Sequence, residues 1–312
     1  GLDVALASNG PLFIAQGSAT AGDFEAVAAG ELTTGTVDAS GIAVLTSTGD
    51  YIRAAGTVNA GEIRMTAAND VRAEGNLSAT GALAIDAGAS FVLDGIARGS
   101  TVSVLSADID LRGTSQLGER GVTSTLTLTN RDPALLTQVG DSASTASAWT
   151  LDGSEMVRLF ADESIMIGVD LPAPSTAGLG DIAIGDFALT YGATGHIGTG
   201  GLLEISTPAT VSITGDVALT TGNADDTFRI DPTLIELDTT TGSIAMLDSA
   251  GDPLGRLAGV VGNLVERCGE REHILALEVA VRRDAKSLPH DGGVVGRQDR
   301  VESLLRLVGE LG

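Results

Sequence analysis

Six glycines recur at nearly constant intervals in the first 113 residues, and each closes a short run in which apolar and polar residues alternate. The intervals are 18, 21, 19, 20 and 18 residues. A repeat of this length predicts a solenoid, in which each repeat forms one coil and stacks on the next. We expect the glycines to be the corners of the coils: Gly17, Gly35, Gly56, Gly75, Gly95 and Gly113.

Apolar residues form columns on both sides of these glycines. Four residues before the glycine stand Phe13, Ile52, Val71, Phe91 and Ile109, and two before it Ala15, Ala54, Ala73, Leu93 and Leu111. Two residues after it stand Ala19, Val37, Val58, Leu77, Ala97 and Ser115. Alternation with a period of two predicts a short strand on each side of the corner, with these columns pointing inward. The Gly35 repeat, with Glu31 and Thr33, departs from the first two columns.

A further column of alternating pairs predicts a third strand in each coil. The pairs begin 21, 20 and 19 residues apart and are Ile42 and Val44, Ile63 and Met65, Leu83 and Ile85, Val102 and Val104. We therefore predict an all-β fold, a right-handed parallel β-helix with about three strands per coil of roughly 20 residues. Neighbouring coils of such a fold lie about 4.8 Å apart, so each coil is buried only when the next one covers it.

The composition agrees with a narrow solenoid. Glycine contributes 42 residues, aromatic side chains only 3%, and apolar side chains 43%. A narrow interior accepts Val, Ile, Leu and Ala, whereas tight corners favour residues such as Gly, Asn and Asp that tolerate a positive φ. Ordered apolar columns distinguish this low-complexity sequence from a disordered one.

The chain has a net charge of −23, and residues 1–254 carry all of it. They hold 32 acidic residues against nine arginines. Such a surface repels phosphate backbones and anionic headgroups, so we expect no nucleic-acid partner and no peripheral attachment to anionic lipid. The lack of a long apolar run predicts no membrane insertion. One interpretation is that the acidic surface keeps the protein soluble. Another is that Asp and Asn side chains at the corners bind calcium weakly. The glycine-rich nonapeptide of calcium-binding solenoids is absent, so we assign no metal ligand and no cofactor.

The chain contains a single cysteine, Cys268, which has no partner for an internal disulfide. No apolar run approaches the 18 residues of a membrane span, and no signal peptide is evident. Because the repeat pattern already runs at Leu2, Val4 and Leu6, we interpret the sequence as a fragment whose targeting signal lies upstream.

The repeat pattern divides the chain into four segments. Regular coils are predicted for 1–129, a loop-rich break or irregular coils for 130–180, and coils with longer corners for 181–254. In the third segment one series contains Ile182, Ile184, Leu203, Ile205, Phe228 and Ile230. A parallel series contains Phe187, Leu189, Val211, Ile213, Ile235 and Leu237.

Most of residues 1–254 resembles the large bacterial exoproteins of the filamentous-haemagglutinin type, which are exported by two-partner secretion. The resemblance rests on the coil with its Gly-x-apolar corner and on residues 185–190 (GDFALT), 203–219 (LEISTPATVSITGDVAL), 226–230 (DTFRI) and 241–254 (TGSIAMLDSAGDPL). It implies a secreted or cell-surface protein used for adhesion, with an outer-membrane transporter as a partner during export. The secretion domain of that family is not recognisable in this sequence.

Residues 255–312 differ in character and are predicted to be a helical tail. Leu257, Val261, Leu264 and Cys268 fall at helical spacing, as do Val301, Leu304, Leu305 and Val308. The tail is either a cap over the last coil or an out-of-frame or unrelated extension, since out-of-frame GC-rich DNA gives Arg-, Gly- and Val-rich runs. It also holds two of the three histidines, His273 and His290.

Candidate chemistry is sparse. Glu74, Asp94 and Arg112 precede corner glycines and form an outward column, in which the two carboxylates have a separation suited to a retaining glycosidase. An outward column on a flat face is ordinarily a solvated ladder, and this is our interpretation. His196 is interpreted as a loop histidine, because three histidines in all do not supply a metal triad. The threonines form no ladder of the ice-binding kind.

These observations favour a non-enzymatic structural or adhesive repeat module of a secreted or surface-displayed bacterial exoprotein. Its expected ligands are glycans or proteins of a host surface or a neighbouring cell. The alternative is a carbohydrate-active β-helix enzyme, a polysaccharide lyase or glycoside hydrolase, with its site near the loop-rich segment. A deep cleft there, lined by carboxylates together with Arg or with aromatic stacking residues such as Trp149, would distinguish the two functions.

Overall fold

The structure, a computed structural model, is almost entirely β. It describes residues 3–141, 148–169, 179–231, 234–237, 243–247, 249–250, 256–259, 263–268 and 271–276. These residues belong to one compact unit, Gly1–Ala280. A second unit, Val281–Gly312, lies outside the described residues, as does the predicted helix from Val301 to Val308.

Sixteen strands lie between Val4 and Leu117. They are β1 (Val4–Ser8), β2 (Leu12–Ala19), β3 (Phe24–Ala28), β4 (Leu32–Ala39), β5 (Ile42–Ser47), β6 (Ile52–Ala54), β7 (Val58–Ala60), β8 (Glu62–Ala67), β9 (Val71–Ala73), β10 (Leu77–Ala79), β11 (Ala82–Ala87), β12 (Ser90–Leu93), β13 (Ile96–Arg98), β14 (Thr101–Ser106), β15 (Asp108–Leu111) and β16 (Gln116–Leu117).

Fifteen more strands and one short helix lie between Thr125 and Ala276 among the described residues. They are β17 (Thr125–Asn130), β18 (Leu136–Val139), β19 (Ala148–Leu151), α1 (Gly153–Met156), β20 (Ser164–Val169), β21 (Ile182–Ile184), β22 (Phe187–Thr190), β23 (Leu202–Ser206), β24 (Thr210–Ile213), β25 (Asp216–Thr220), β26 (Thr227–Asp231), β27 (Leu234–Leu237), β28 (Ser243–Leu247), β29 (Arg256–Gly259), β30 (Asn263–Cys268) and β31 (Arg271–Ala276).

Equivalent strands of successive coils pair in parallel, which confirms the predicted parallel β-helix. Sheet 1 has eleven strands in the order β1-β3-β5-β8-β11-β14-β17-β20-β23-β26-β29. Sheet 2 has ten strands, β15-β12-β9-β6-β4-β7-β10-β13-β16 with β2 paired to β4. Sheet 3 is β19-β18-β21-β24-β27-β30-β31, and sheet 4 is β22-β25-β28.

The coils have three strands each from β5 to β16, as predicted, but only two in the first two coils. There, β2 and β4 are eight-residue strands that pass through the corner without interruption. From β6 onward the strand is divided at the corner into two short pieces, for example β6 and β7. The two pieces of the next coil, β6 and β7, therefore pair with different ends of β4.

Four of the corner glycines allow backbone to lie directly on backbone. An added Cβ would collide with the preceding corner at Gly35, Gly56, Gly75 and Gly95, where the nearest atom in each case is a main-chain carbonyl oxygen or carbon. None of these four has a positive φ; of the six predicted corner glycines only Gly113 does, at 56°. Close approach of successive coils, rather than a left-handed conformation, explains the repeat at these four corners.

The first and last predicted corners are wrong in register. Gly17 pairs with Val37 and points inward, where the absent side chain makes room for the ring of Phe24. Ala15 takes the corner position instead, and Phe13, predicted to be inward, is 72% exposed. At the other end, the corner that contains Gly113 is two residues longer, so Leu117 rather than Ser115 pairs with Ala97.

Two other predicted columns require correction. In β5 the inward residues are Ala43 and Leu45, not Ile42 and Val44, because Ala43 pairs with Ile63. In the second half the two predicted series each combine two different sheets. Ile182 stacks on Val211 in sheet 3, Leu203 stacks on Phe228 in sheet 1, and Phe187 stacks on Val217 in sheet 4.

Sheet 1 continues through residues 130–180, since β17 pairs with β20 and β20 with β23. The irregularity of this segment lies in sheet 3, where β18 pairs with both β19 and β21. Asn130, predicted to mark a loop, ends β17 and is buried. Its Nδ2 donates to Oγ1 of Thr137 at 2.9 Å, which ties the end of β17 to β18.

The predicted helix from Leu257 to Cys268 is wrong. This stretch contains β29, which pairs in parallel with β26, and β30, which pairs in parallel with β27 and antiparallel with β31. The preceding coil presents unpaired backbone groups at its edge, and the ladder that they offer outweighs the helical spacing of four apolar residues.

We expect Gly75→Ala to destabilise the fold and Gly10→Ala to be tolerated. A Cβ at Gly75 would collide with the carbonyl group of Gly56, whereas one at Gly10 would meet nothing within 4 Å. Forcing an extra methyl group between packed coils costs about 1–3 kcal/mol of unfolding free energy. Urea denaturation followed by circular dichroism measures this difference. Equal midpoints for the two variants would contradict stacking of the corner backbones.

Candidate functional site

The predicted column Glu74, Asp94 and Arg112 is stacked as expected. Their amides donate to Ala54, Ala73 and Leu93 of the preceding coils, each at 2.9 Å. All three side chains are exposed. The column is therefore an outward row at one corner of successive coils, which is the geometry of a solvated ladder.

Glu74 and Arg112 form ion pairs with residues outside the column rather than with each other. Glu74 makes a bidentate pair with Arg53, at 2.8 and 2.9 Å, and Arg112 pairs with Asp110 at 2.6 Å. The hydrogen bond from Arg53 holds the pKa of Glu74 below its usual range. A carboxylate held in its ionised form is poorly suited to be a general acid at neutral pH.

His196 lies in a packed loop. Its Nδ1 accepts a hydrogen bond from the amide of Thr190 at 3.1 Å, and its ring stacks on Phe160 with the centroids 5.2 Å apart. Burial lowers the pKa of its imidazole. These contacts fix the ring as part of the loop. Among the described residues, no group of three or more His, Cys, Asp or Glu side chains is placed to hold a metal ion.

Trp149 was the aromatic residue proposed to stack on a sugar in the enzyme hypothesis. It lies on β19 and is fully buried, paired in register with Thr137 of β18. An indole in the interior offers no face to a polysaccharide. The described part of the loop-rich segment thus lacks the exposed stacking surface that the enzyme hypothesis required of this residue.

A buried carboxylate near the same segment was missed by the sequence reasoning. Glu155 in α1 is 8% exposed. Its Oε1 accepts from the amide of Leu111 at 2.8 Å and its Oε2 from the amide of Asp152 at 2.9 Å. Asp152 accepts in return from the amide of Glu155, which completes a capping box. The spacing Asp-x-x-Glu was the sequence signal that could have indicated it.

Arg158 completes the same arrangement from the other side. Its Nη1 donates to the carbonyl oxygen of Leu111 at 2.6 Å and its Nε to that of Ser154 at 3.0 Å. The side chains of Glu155 and Arg158 therefore satisfy both the amide and the carbonyl of Leu111, the last residue of β15. They occupy the place that the backbone of another strand would take in the ladder.

Burial raises the pKa of Glu155 to about 7, and the charges of Asp152 and Asp110 act in the same direction. The two amide donors oppose this shift because they favour the ionised form. The carboxyl is thus poised to change its charge near neutral pH. Its hydrogen bonds all go to backbone groups of the protein, so it is a structural clasp rather than an open acid.

A shallow groove on the outer face of sheet 1 is the candidate binding site. Two outward rows cross β17, β20 and β23 there: Thr127, Met166 and Glu204 in one, and Thr129, Gly168 and Ser206 in the other. Together with Pro208 they line a groove of about 250 Å³. The regular register of sheet 1 positions these side chains. Gly168, in the middle of the second row, has no side chain, and this creates the depression.

Comparison with protein-family models, with curated proteins and with solved structures gives no match for this chain. Within the described residues, no helix has the length and apolar character needed to span a membrane.

We expect the clasp to make stability depend on pH. The folded pKa of Glu155 lies above the ordinary value of 4.5, so its proton stabilises the folded state. Stability should therefore fall as pH rises from about 4.5 to 7, by up to about 3 kcal/mol, and stay level above that range. Urea midpoints at pH 5 and pH 8 test this.

Glu155→Gln should remove that part of the pH dependence, because an amide does not titrate. Asp94→Asn, which neutralises an exposed carboxylate, is the matched control and should keep the slope of the parent chain. Parallel pH profiles for the parent and Glu155→Gln would show that the clasp does not titrate in this range.

Proposed function

We propose that this chain is a non-enzymatic structural and adhesive module of a secreted or surface-displayed bacterial exoprotein. The observation that carries the proposal is sheet 1, whose eleven parallel strands run from Val4 to Gly259 in a single register. A solenoid of this kind holds its surface at a fixed spacing over a long distance. Such a scaffold suits a stalk that presents a binding face.

The charge of residues 1–254 supports an extracellular adhesive role. Eight of their nine arginines are in ion pairs with carboxylates, and the ninth, Arg158, donates to backbone carbonyls. The remaining acidic excess is unbalanced and repels nucleic acids and anionic lipids. We propose surface glycans or proteins as partners, and an outer-membrane transporter as the partner during export.

The alternative function is a carbohydrate-active enzyme, and Glu155 is the observation in its favour. A carboxyl with a pKa near 7 is what a general acid requires. Its two oxygens, however, accept hydrogen bonds from Leu111 and Asp152 and lie in the interior. Substrate does not reach a group enclosed in this way without opening α1, so we favour the structural function.

The adhesive function is tested by the attachment of cells to the full chain. Beads that carry the purified protein should retain bacterial or host cells well above beads that carry an unrelated acidic protein. The matched control is Val71→Asp, which buries a charge in the core at the position of a fully buried valine and should unfold the coils. Retention that is equal for the parent, the unfolded variant and the unrelated protein would oppose an adhesive role.

The enzyme alternative predicts turnover, whereas we expect none. A screen of acidic and neutral polysaccharides for new reducing ends or unsaturated products should remain at background for the parent chain. Glu74→Gln with Asp94→Asn, and Glu155→Gln separately, are the control variants. Turnover by the parent that falls about a hundredfold or more in either variant would establish a catalytic carboxylate and overturn the structural function.

A further inference from the structure

Gly168 is the next-to-last residue of β20, and nothing in its backbone conformation requires glycine. Its φ is not positive. A Cβ there would meet a single atom, the carbonyl oxygen of Ser206 at 3.2 Å, so a side chain fits after a small adjustment. A glycine inside a strand weakens the strand and often marks a place where a ligand approaches the backbone closely.

Gly168 is the residue without a side chain in an outward row of sheet 1. The same outward row contains Thr66, Asp86, Leu105 and Thr129 before it and Ser206 and Asp231 after it. Each of these has a side chain that covers the sheet. Only at Gly168 is the backbone of this row uncovered, and the groove of about 250 Å³ lies there.

The groove offers hydroxyl groups and one carboxylate. Thr127, Thr129 and Ser206 contribute hydroxyls, which both donate and accept hydrogen bonds. The side chain of Glu204 is 16% exposed and its carboxylate lies 3.8 Å from Nη1 of Arg229, too far for a hydrogen bond. Arg229 donates instead to Asp231 at 2.6 Å. Glu204 therefore contributes a carboxylate at ion-pair distance from Arg229 to a lining that also holds three hydroxyls.

The apolar part of the groove comes from Met166, Ile167, Val169 and Pro208. A sugar ring has matching chemistry, because its hydroxyls bond to hydroxyls and carboxylates while its C–H face packs on apolar atoms. The volume is below the roughly 300–1,000 Å³ of pockets for drug-sized ligands, which limits the occupant to about one ring.

The negative charge of the groove and of the whole chain excludes anionic sugars as ligands. Glu204 is the charged side chain in the lining, and the chain as a whole has a net charge of −23. Sulfated, phosphorylated and uronic sugars are repelled by both. We propose that the groove around Gly168 binds one uncharged hexose ring of a neutral glycan. This inference rests on the proposed adhesive function and assigns its ligand class.

Methionine methyl groups give a direct test on the folded full chain. The protein has four methionines, of which Met166 lines the groove while Met65 and Met156 are buried elsewhere. With ¹³C-methyl methionine, titration with methyl glucoside, methyl galactoside, methyl mannoside and neutral oligosaccharides should shift the Met166 signal. The Met65 and Met156 signals should stay in place, and a sulfated oligosaccharide should produce no shift.

Gly168→Val places a strand-compatible side chain in the groove and should weaken the binding of the neutral sugar about tenfold or more. Thr66→Val, in the same outward row on β8, is the matched control and should bind like the parent. Glu204→Gln keeps the shape but removes the charge, and it should weaken binding several-fold. It serves as a second variant if Gly168→Val lowers the unfolding midpoint.

The outcomes separate this inference from the proposed function. No shift at Met166 with any neutral sugar, or equal affinity in the parent and both groove variants, overturns the glycan groove. A shift produced by a basic peptide and not by sugars overturns it in favour of a protein ligand. If the parent and Gly168→Val retain cells equally on beads, the module is adhesive through another surface. If neither retains cells, the adhesive function itself fails.

Discussion

Parallel pairing between successive coils is the interaction on which the rest of this structure depends. Each inward side chain is buried by its own coil and by the coils above and below it, as Ile63 is by Ala43 and Leu83. The ladder supplies the backbone partners that the same strands would otherwise lack. Side-chain burial and backbone pairing both require that the strands of successive coils stay aligned. The corners must therefore be compact and uniform.

Two devices make the corners compact. The first is glycine, which lets the backbone of one corner rest on the next, as Gly75 does on Gly56. The second is an Asp or Asn side chain that accepts an amide of the following coil; Asp23 accepts from Ile42 at 2.8 Å and Asp186 from Asp216 at 2.6 Å. Part of the acidic composition therefore serves the fold, since these carboxylates replace ladder bonds where the chain turns.

Two interruptions of this uniform stacking create the titratable carboxyl and the candidate binding groove. At the end of β15, Glu155 and Arg158 take the place of a strand and leave a carboxyl that titrates near neutral pH. On sheet 1 the ladder is intact, but Gly168 removes one side chain from an otherwise covered row. The first interruption is enclosed by backbone donors, whereas the second is open to solvent, and this difference is why we assign binding to the groove.

The sequence by itself determined the parallel β-helix, the three-strand coil and the burial of columns such as Val71 and Ile109, because a period of two and a repeat of about 20 residues are local properties. Only the tertiary structure decided register: Gly17 lies inside because the ring of Phe24 needs its space, and residues from Leu257 onward form strands because the preceding coil offers a ladder. It also decided the groove and the clasp. These depend on residues 39 and 44 positions apart, Thr129 with Gly168 and Leu111 with Glu155, and no local pattern records which coils become neighbours.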